Sequence, residues 1–200
     1  MPHSRRPTTW TVCVMLALSL LATGCGGRRV RPQHDLTAAA PAGRAMPRLG
    51  LFIATCGYLG YVPIAPGTFG SAAGLAVFYA VRSTGSVGVE LAAIVLLFAV
   101  GVWSGTVAER HFGGVDPAPV VLDEVVGMLI TLALLPVNAT GAIVGFLVFR
   151  LLDVVKPWPS AGFEKLPGGL GVMADDGMAA IYGNLVMRGL IALAPAGWLV

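Results

Sequence analysis

Charged side chains are scarce in this chain, and so are the side chains on which zinc enzymes and covalent hydrolases rely. Only 12% of the 200 residues are Asp, Glu, Lys or Arg. The three cysteines show neither metal-ligand spacing nor a disulfide framework, and His111 has no partner at the spacing of a zinc site. There is also no Asp-x-Asp pair. A zinc centre, a disulfide-stabilised fold and catalysis through phosphoaspartate or phosphohistidine are therefore all without support.

The basic residues do not form the pattern of a nucleic-acid-binding surface. The net charge is only +3. Most arginines gather near the N-terminus, where they do not interleave with aromatic side chains on a folded surface as a nucleic-acid site requires. We therefore expect no nucleic acid partner and interpret this stretch as a basic segment that flanks a membrane. These arginines are Arg5, Arg6, Arg28, Arg29, Arg31, Arg44 and Arg48.

Residues 1–45 differ from the rest of the chain. Arg5-Arg6, the apolar stretch Trp10–Leu21 and the small residues before Cys25 are typical of a secretion signal, with Cys25 placed like a lipoprotein attachment cysteine. The Ala, Pro, Gly and Arg residues that follow show no periodicity and indicate a linker. Two interpretations stay open, a signal or lipoprotein-like segment and a mis-assigned start that precedes a true start at Met46. In both, we expect one domain over residues 46–200.

Apolar segments dominate the remaining chain. Hydrophobic residues make up 56% of the sequence and the mean hydropathy is +0.81, more than a soluble core of this size needs. Val87–Ala108 is long enough to cross a hydrocarbon core of about 30 Å, whereas Val125–Val137 and Ala139–Leu152 would each cover only about 20 Å. We predict an all-α fold, a polytopic integral membrane helical bundle whose short helices form a hairpin that is re-entrant or packed inside the protein. The other apolar segments are Leu49–Ala65, Thr68–Val81 and Met178–Val200.

The few charged residues of this domain lie at the ends of the apolar segments. Asp123-Glu124 precedes one short helix, residues 150–156 close the next, and Asp175-Asp176 precedes the last segment. Because the two short segments form a hairpin, their charged ends return to one side, and the loop over 157–172 does not cross. Tracing the preceding apolar segments backwards along the chain, with each one reversing direction, places residues 66–71 on the same side as these charged ends. The basic residues at that end predict that it faces the cytoplasm.

The carboxylates and cations that converge in this arrangement indicate a metal ion and a phosphate. Acidic groups beside a membrane segment are costly and mark function by default, and Mg²⁺ prefers a few carboxylates together with water and substrate phosphate. We therefore expect attack by water that the cation has made more acidic, on a phosphorylated lipid. The carboxylates are Asp123, Glu124, Asp153, Asp175 and Asp176, and the cations are Arg150 and Lys156.

Simpler interpretations of the same charges stay open. Carboxylates stabilise helix N-termini through the dipole and the unpaired amides, which would explain Asp123-Glu124 and Asp175-Asp176 as caps. Arg150, Asp153 and Lys156 follow one another at i, i+3 and i+6, which would explain them as an ion pair at a helix end.

A glycine-rich turn opens the second apolar segment. Pro66-Gly67-Thr68-Phe69-Gly70-Ser71 carries two hydroxyls and backbone amides that can surround a phosphate. The Gly-Lys-Ser/Thr element of a Walker loop is missing. An ordinary helix start explains the turn equally well.

Four motifs in order along the chain resemble the phosphatidylglycerophosphatase A family. The likeness covers roughly residues 50–190, with Leu122 where the family usually has Trp and with no counterpart for residues 1–45. The motifs are Pro63-x-x-Pro66-Gly67-Thr68-x-Gly70-Ser71, Asp123-Glu124-x-x-Gly127-Met128, Phe149-Arg150-x-x-Asp153-x-x-Lys156-Pro157-Trp158-Pro159 and Gly169-x-Gly171-x-Met173-x-Asp175-Asp176.

This resemblance implies an Mg²⁺-dependent phosphatase, multi-pass in the bacterial inner membrane with its active site facing the cytoplasm. Such an enzyme converts phosphatidylglycerophosphate to phosphatidylglycerol and phosphate in phospholipid biosynthesis. The five carboxylates Asp123, Glu124, Asp153, Asp175 and Asp176 would share Mg²⁺ binding and activation of the attacking water. Arg150 and Lys156 would bind the phosphate, with Thr68, Gly70 and Ser71 as secondary contacts.

Two alternatives make different predictions. Asp176-Gly177 superficially resembles part of the CDP-alcohol phosphotransferase motif, but that family needs further aspartates downstream and none follows Asp176. A small polytopic transporter or structural membrane protein would spread its charges through the membrane depth. Here the charges gather at one end, and Arg188 is the clear exception.

Overall fold

The computed structural model describes residues 45–114, 116–163 and 166–200, and these residues form helices, turns and loops without a strand. The all-α class is therefore confirmed for this part of the chain. The predicted signal-like segment and linker lie outside the described residues. The helices are α1 (Ala45–Ala54), α2 (Pro66–Arg82), α3 (Val87–Phe112), α4 (Leu122–Leu132), α5 (Ala139–Val155), α6 (Ser160–Phe163) and α7 (Gly169–Leu193), with a 3-10 turn at Leu59–Tyr61.

The short helix α4 lies at the centre of the bundle. All of its eleven residues except Ile130 are buried, because α2 and α7 pack along it and α3 and α5 cover the rest. The sequence predicted an apolar helix over Val125–Val137, but α4 begins earlier and ends at Leu132. Leu134 adopts a left-handed φ of 58° and Pro136 follows, so the helix cannot continue. Of the two predicted options, packing inside the protein is the one that the structure shows for α4.

Helices α2 and α4 run in parallel and begin at the same end of the bundle. At that end, a Cβ on Gly67 would lie 2.4 Å from the Oε1 atom of Glu124. At the other end, the Nη2 atom of Arg82 donates to the carbonyl oxygen of Leu135 at 2.6 Å. The first turns of both helices therefore share one end.

Helix α7 runs in the same direction, and α3 and α5 run in the opposite one. The Nδ2 atom of Asn184, late in α7, donates to the carbonyls of Thr131 and Ala133 at the end of α4. Late in α3, the Oγ1 atom of Thr106 accepts from the amide of Gly169, where α7 begins. The C-terminal part of α5 packs near the start of α4, where a Cβ on Gly127 would meet the ring of Phe149. These contacts agree with the predicted order of helix directions.

The predicted start of the last helix was wrong by two turns. The sequence placed Asp175-Asp176 in front of the helix, but α7 begins at Gly169. Gly168 has a left-handed φ of 63° that ends the preceding loop, and a Cβ on Gly169 would lie 2.3 Å from the carbonyl oxygen of Val102 on α3. Because the glycine lets the backbones touch, the helix starts early, and the two aspartates lie within it and do not cap it.

The C-terminal residues fold back onto the loop between α4 and α5. Helix α7 ends at Leu193 and not at Val200, since Pro195 follows and the chain turns. The amide of Asn138 donates to the carbonyl of Leu199 at 2.9 Å, and its Nδ2 donates to the carbonyls of Trp198 and Val200. The side-chain Oδ1 of Asn138 also accepts from the Gly141 amide at 2.9 Å, which caps α5.

Within the described residues, one helix is long and apolar enough to cross a membrane, namely Val87–Phe112. The predicted span Val87–Ala108 is therefore confirmed as a helix and is one turn longer, ending where Gly113 takes a φ of 72°. Its outer side chains are open, as at Val95, which is 69% exposed. The α2 and α5 helices have 17 residues each, or about 25 Å at 1.5 Å per residue. Membrane crossing by more than one helix stays a prediction.

We expect Asn138→Ala to lower the free energy of unfolding by about 2 kcal/mol, because it removes a helix cap and the side-chain bonds to the C-terminal residues. Thermal unfolding of the detergent-purified protein measures this. Ser86→Ala is the matched control, since Ser86 caps α3 through its Oγ and the Val89 amide alone, and it should cost about 1 kcal/mol or less. Equal losses in both variants would show that the C-terminal contacts contribute nothing.

Candidate active site at one end of the bundle

Three carboxylates form a buried cluster where α4 and α7 meet. Asp123 and Glu124 stand in the first turn of α4, and Asp176 stands in the second turn of α7. Each offers a ligand oxygen, and these oxygens all lie within 4.8 Å of one another. The three residues are only 3%, 6% and 4% exposed. The structure thus brings together acids that are about fifty residues apart in the chain.

The cluster fits a divalent cation. The Oδ1 atom of Asp123 and the Oε2 atom of Glu124 are buried and have no hydrogen-bond partner among the described residues. Burial raises the pKa of the Asp123 carboxyl well above its usual range, and the charges of Glu124 and Asp176 raise it further. Buried carboxylates of this kind need a compensating charge, and clustered hard oxygen donors are the ligands of Mg²⁺, Ca²⁺ or Mn²⁺.

The Asp176 carboxyl is likewise destabilised in its charged form. Burial raises its pKa well above the usual range, and the charges of Asp153, Asp175 and Glu124 add to this, whereas Lys156 lowers it. Asp123 and Asp176 both precede the apolar stretches that the sequence marked for the membrane. A bound cation would offset the mutual repulsion of these carboxylates.

Two basic side chains stand beside the cluster, each against an acid. The Nη1 atom of Arg150 lies 2.5 Å from the Oδ2 atom of Asp153, and Lys156 Nζ contacts the Oδ2 atom of Asp175. Arg150 is buried, and its Nε has no hydrogen-bond partner in the described part of the chain. Of the simpler interpretation, the Arg150–Asp153 ion pair therefore forms, whereas Lys156 pairs with Asp175 on α7. Both pairs lie next to the three-acid cluster and not on an isolated helix end.

Gly67 allows the first turn of α2 to close onto this cluster. A Cβ at this position would lie 2.4 Å from Glu124 Oε1 and 3.0 Å from Arg150 Nη1. The chain enters the helix through Ala65 with a left-handed φ of 49° and Pro66 at the first helical position. The positive end of the α2 dipole therefore faces an acid and a guanidinium at close range. Sequence reasoning included Gly67 in a motif but not among the site residues.

The other residues of the glycine-rich turn divide between the site and the helix interface. Thr68 is half-buried in the first turn of α2. Gly70 packs against α4, where a Cβ would lie 2.8 Å from Val121 Cβ. Ser71 is fully buried, and its Oγ donates to the carbonyl of Gly67 at 2.9 Å. The structure thus places Gly70 and Ser71 in the packing of α2 and not on an open surface.

Ser160 is a site neighbour that sequence reasoning missed. Its Oγ donates to the carbonyl oxygen of Asp175 at 2.8 Å, and the residue is fully buried. It follows Lys156-Pro157-Trp158-Pro159, so the loop after α5 is attached to α7 both by the Lys156 contact and by this hydrogen bond. The signal was a serine directly after a proline-rich stop, which is also typical of an ordinary helix cap.

Comparison with known proteins identifies the family to which this site belongs. The family profile for phosphatidylglycerophosphatase A matches residues 52–191, which include every residue of the cluster. The chain belongs to the phosphatidylglycerophosphatase A family. It is therefore a phosphatase, and the resemblance noted in its motifs is confirmed.

Named relatives come from three bacteria. The phosphatidylglycerophosphatase A of Escherichia coli (strain K12) is 36% identical over 126 residues, covering 61% of this chain and 72% of the relative. The Haemophilus influenzae protein of the same name is 36% identical over 130 residues, covering 64% and 80%. A Bacteroides thetaiotaomicron protein, named provisionally as a phosphatidylinositol-3-phosphatase, is 34% identical over 148 residues, covering 70% and 89%. No solved structure matches the chain at a significant level.

We expect Gly67→Ala to lower kcat/KM at least about tenfold, because the added methyl group must displace the Glu124 carboxylate or the Arg150 guanidinium, and small misplacements of catalytic groups are costly. Steady-state phosphate release from the lipid substrate measures this. The matched control is Gly189→Ala on α7, where a Cβ would meet nothing within 4 Å. Full activity in Gly67→Ala would show that the close approach of α2 is not needed.

We expect Ser160→Ala to lower kcat/KM about fivefold, which corresponds to the ~1 kcal/mol of one hydrogen bond. The reason is that Asp175 and its neighbour Asp176 lose an anchor to the loop after α5. The control is Ser83→Ala, whose Oγ also donates to a backbone carbonyl, that of Ala80, but at the opposite end of α2. If both serine variants behave alike, Ser160 does not position the acids.

Proposed function

We propose that this protein is a Mg²⁺-dependent membrane phosphatase that hydrolyses phosphatidylglycerophosphate to phosphatidylglycerol and phosphate in phospholipid biosynthesis. The main support is the three-acid cluster with two buried oxygens that lack a hydrogen-bond partner in the described residues. Two basic side chains and a helix N-terminus adjoin it, so groups suited to a cation and to a phosphate lie side by side.

Asp123, Glu124 and Asp176 would hold the Mg²⁺ ion, since their oxygens already lie within 4.8 Å of one another. A bound Mg²⁺ supplies positive charge that neutralises phosphate oxygens and makes water more acidic. Asp153 and Asp175 complete the acidic set, and they hold Arg150 and Lys156 in place through the two ion pairs. The acid that removes a proton from the attacking water belongs to these five carboxylates.

Arg150 and Lys156 would bind the phosphate of the lipid headgroup. A guanidinium matches a phosphate through two parallel hydrogen bonds, whereas the ammonium of Lys156 acts as a point charge. Thr68 in the first turn of α2 would add a hydroxyl contact, and the dipole of α2 favours an anion at its start. Gly70 and Ser71 would contribute indirectly by fixing that turn against α4.

The proposed location is the bacterial inner membrane, in several passes and with the site facing the cytoplasm. In support, α3 is long and apolar, and its exposed side chains include Val95 and Leu96. The cluster lies at the end where α3 carries Arg110 in its last turn and where Lys156 follows α5, as the excess of basic residues on cytoplasmic sides would require. The relatives are bacterial proteins. We expect no nucleic acid partner.

The phosphatase family favours an enzyme over the transporter or structural protein considered from the sequence. We further propose that residues 46–200 form the catalytic domain and that residues 1–45, as a signal or lipoprotein-like segment or a mis-assigned start, are not needed for activity. The match to the family profile begins at residue 52, which supports this boundary.

We expect the detergent-purified protein to release phosphate from phosphatidylglycerophosphate with Mg²⁺ and to lose this activity in EDTA, because the acidic cluster needs a cation to become productive. Phosphatidylinositol 3-phosphate is the comparison substrate, since the Bacteroides relative is named for it. The chain that starts at Met46 should be as active as the full chain. Release that continues undiminished in EDTA would contradict the proposed cofactor.

We expect Asp123→Asn and Asp176→Asn each to lower kcat at least about 100-fold with little loss of folded protein, because each removes a charged oxygen from the cation site. The matched control is Glu90→Gln, a carboxylate that is also buried but lies at the other end of the bundle, where it accepts from the Leu134 amide. An active double variant Asp123→Asn/Asp176→Asn would remove the basis of the site assignment.

A further inference from the structure

Four aromatic side chains form a continuous exposed patch at the same end of the bundle as the acidic cluster. They are Phe52 on α1, Tyr58 and Tyr61 at the 3-10 turn, and Phe112 at the end of α3, and they are between 36% and 57% exposed. In this order, successive ring centroids lie 5.4, 6.0 and 6.4 Å apart. Single exposed apolar residues are ordinary, whereas a continuous group marks a surface that meets another molecule. We call these four residues the aromatic patch.

The turn that carries Tyr58 has an unfavourable but well-fixed backbone. Cys56, Gly57 and Tyr58 adopt left-handed φ values of 47°, 68° and 72°, which cost energy for the cysteine and the tyrosine. The buried Thr55 fixes the turn, since its Oγ1 donates to the Leu51 carbonyl at 2.8 Å and accepts from the Tyr58 amide at 3.1 Å. The Tyr58 ring is therefore exposed on a turn whose path is determined and not on a loose loop.

The patch is attached to the segment that leads into the acidic cluster. The carbonyl of Ala54 accepts from the amide of Val121 at 3.0 Å, two residues before Asp123. A Cβ on Gly60 would collide with the carbonyl oxygen of Pro119, so the two backbones touch. Beyond the 3-10 turn, the chain runs into the first turn of α2, which closes onto the cluster. The patch is thus held beside the site on two sides.

The chemistry around the patch fits a lipid surface. Arg48 lies one turn before Phe52 on the same side of α1, and Arg110 lies in the last turn of α3; both are exposed, whereas the neighbouring acid Glu109 is half-buried. Exposed cations complement the anionic phosphates of a lipid surface. Tyrosine combines an apolar ring with a polar hydroxyl, which suits the depth of the headgroups. The long apolar helix α3 ends in the patch at Phe112, so the two surfaces are continuous.

We propose that the aromatic patch lies in the headgroup layer of the membrane and holds the acidic cluster at the level of the substrate's phosphate. The inference rests on the proposed function, which supplies a lipid as the substrate. The four rings contact the lipid surface and not the reacting phosphate, so they act on the meeting of enzyme and lipid and not on the chemical step. Loss of a ring therefore raises KM for a substrate held in a lipid surface and leaves kcat unchanged.

The test compares two forms of one headgroup with the full 200-residue chain in detergent–lipid mixed micelles. One form is long-chain phosphatidylglycerophosphate, varied as a mole fraction of the micelle. The other is glycerophosphoglycerophosphate, the same headgroup without acyl chains, which is dissolved in water. The variant is Tyr58→Asn, because asparagine accepts a left-handed φ and the fold should be kept. Tyr58→Trp restores an interfacial ring, and Tyr79→Asn is the control, since Tyr79 is 43% exposed towards the opposite end of α2.

We expect Tyr58→Asn to raise KM for the micellar lipid about five- to tenfold at unchanged kcat, because one of four interfacial rings is lost. Hydrolysis of the dissolved headgroup should match the wild type, and Tyr58→Trp and Tyr79→Asn should keep the wild-type KM for the lipid. If the dissolved headgroup is not hydrolysed at all, the comparison of the Tyr58 and Tyr79 variants on the lipid decides alone.

Three results would overturn the inference and leave the proposed function standing. They are an unchanged lipid KM in Tyr58→Asn, which would assign the patch to a protein partner, an equal change for both substrate forms, and an equal change in Tyr79→Asn. If the wild-type chain hydrolyses neither form, the proposed function fails, and the role of the patch fails with it.

Discussion

The burial of three carboxylates whose oxygens lie within 4.8 Å of one another is the constraint on which the rest of this structure depends. Asp123, Glu124 and Asp176 repel one another in buried surroundings that disfavour charge, so the packing of the helices must hold them together. It does so by fixing them to two helices that cannot move apart, because α4 is enclosed by its neighbours and α7 is locked onto it by Asn184. The electrostatic cost is concentrated at one end, where a cation can offset it.

Close helix contact supplies the precision that such a site needs. Glycines lie at the interfaces of α4 with its neighbours, and added Cβ atoms would collide at Gly74 with Val125 and at Gly145 with Leu132. Small residues let helix backbones approach closely, and the spacing of Gly70 and Gly74 and of Gly141 and Gly145 follows that pattern. At Gly67 the absence of a side chain lets α2 approach the site itself, so glycines determine both the helix packing and the catalytic geometry.

The sequence predicted the convergence of the charges well, because helix lengths and directions follow from apolar segments and the acids lie at their ends. It failed where a contact between distant segments decides the local structure. The early start of α7 depends on the approach of Gly169 to α3, and the buried Ser71 bonds to the Gly67 carbonyl within its own helix and not to an open site. Ser160 has only the weak signal of a serine after a proline-rich stop, since it contacts Asp175 through a loop whose path only the folded chain defines.

The enclosure of α4 has a consequence for the variation that this fold can accept. A helix at a surface has one face where substitutions are neutral, which gives sequence change a period of 3.6 residues. Ten of the eleven residues of α4 are buried, so it offers no such face, whereas α3 leaves side chains such as Val95 and Leu96 open. Amino-acid substitutions within this architecture are therefore expected mainly in the outer helices. A substitution in the central helix α4 requires simultaneous changes in the residues that pack against it.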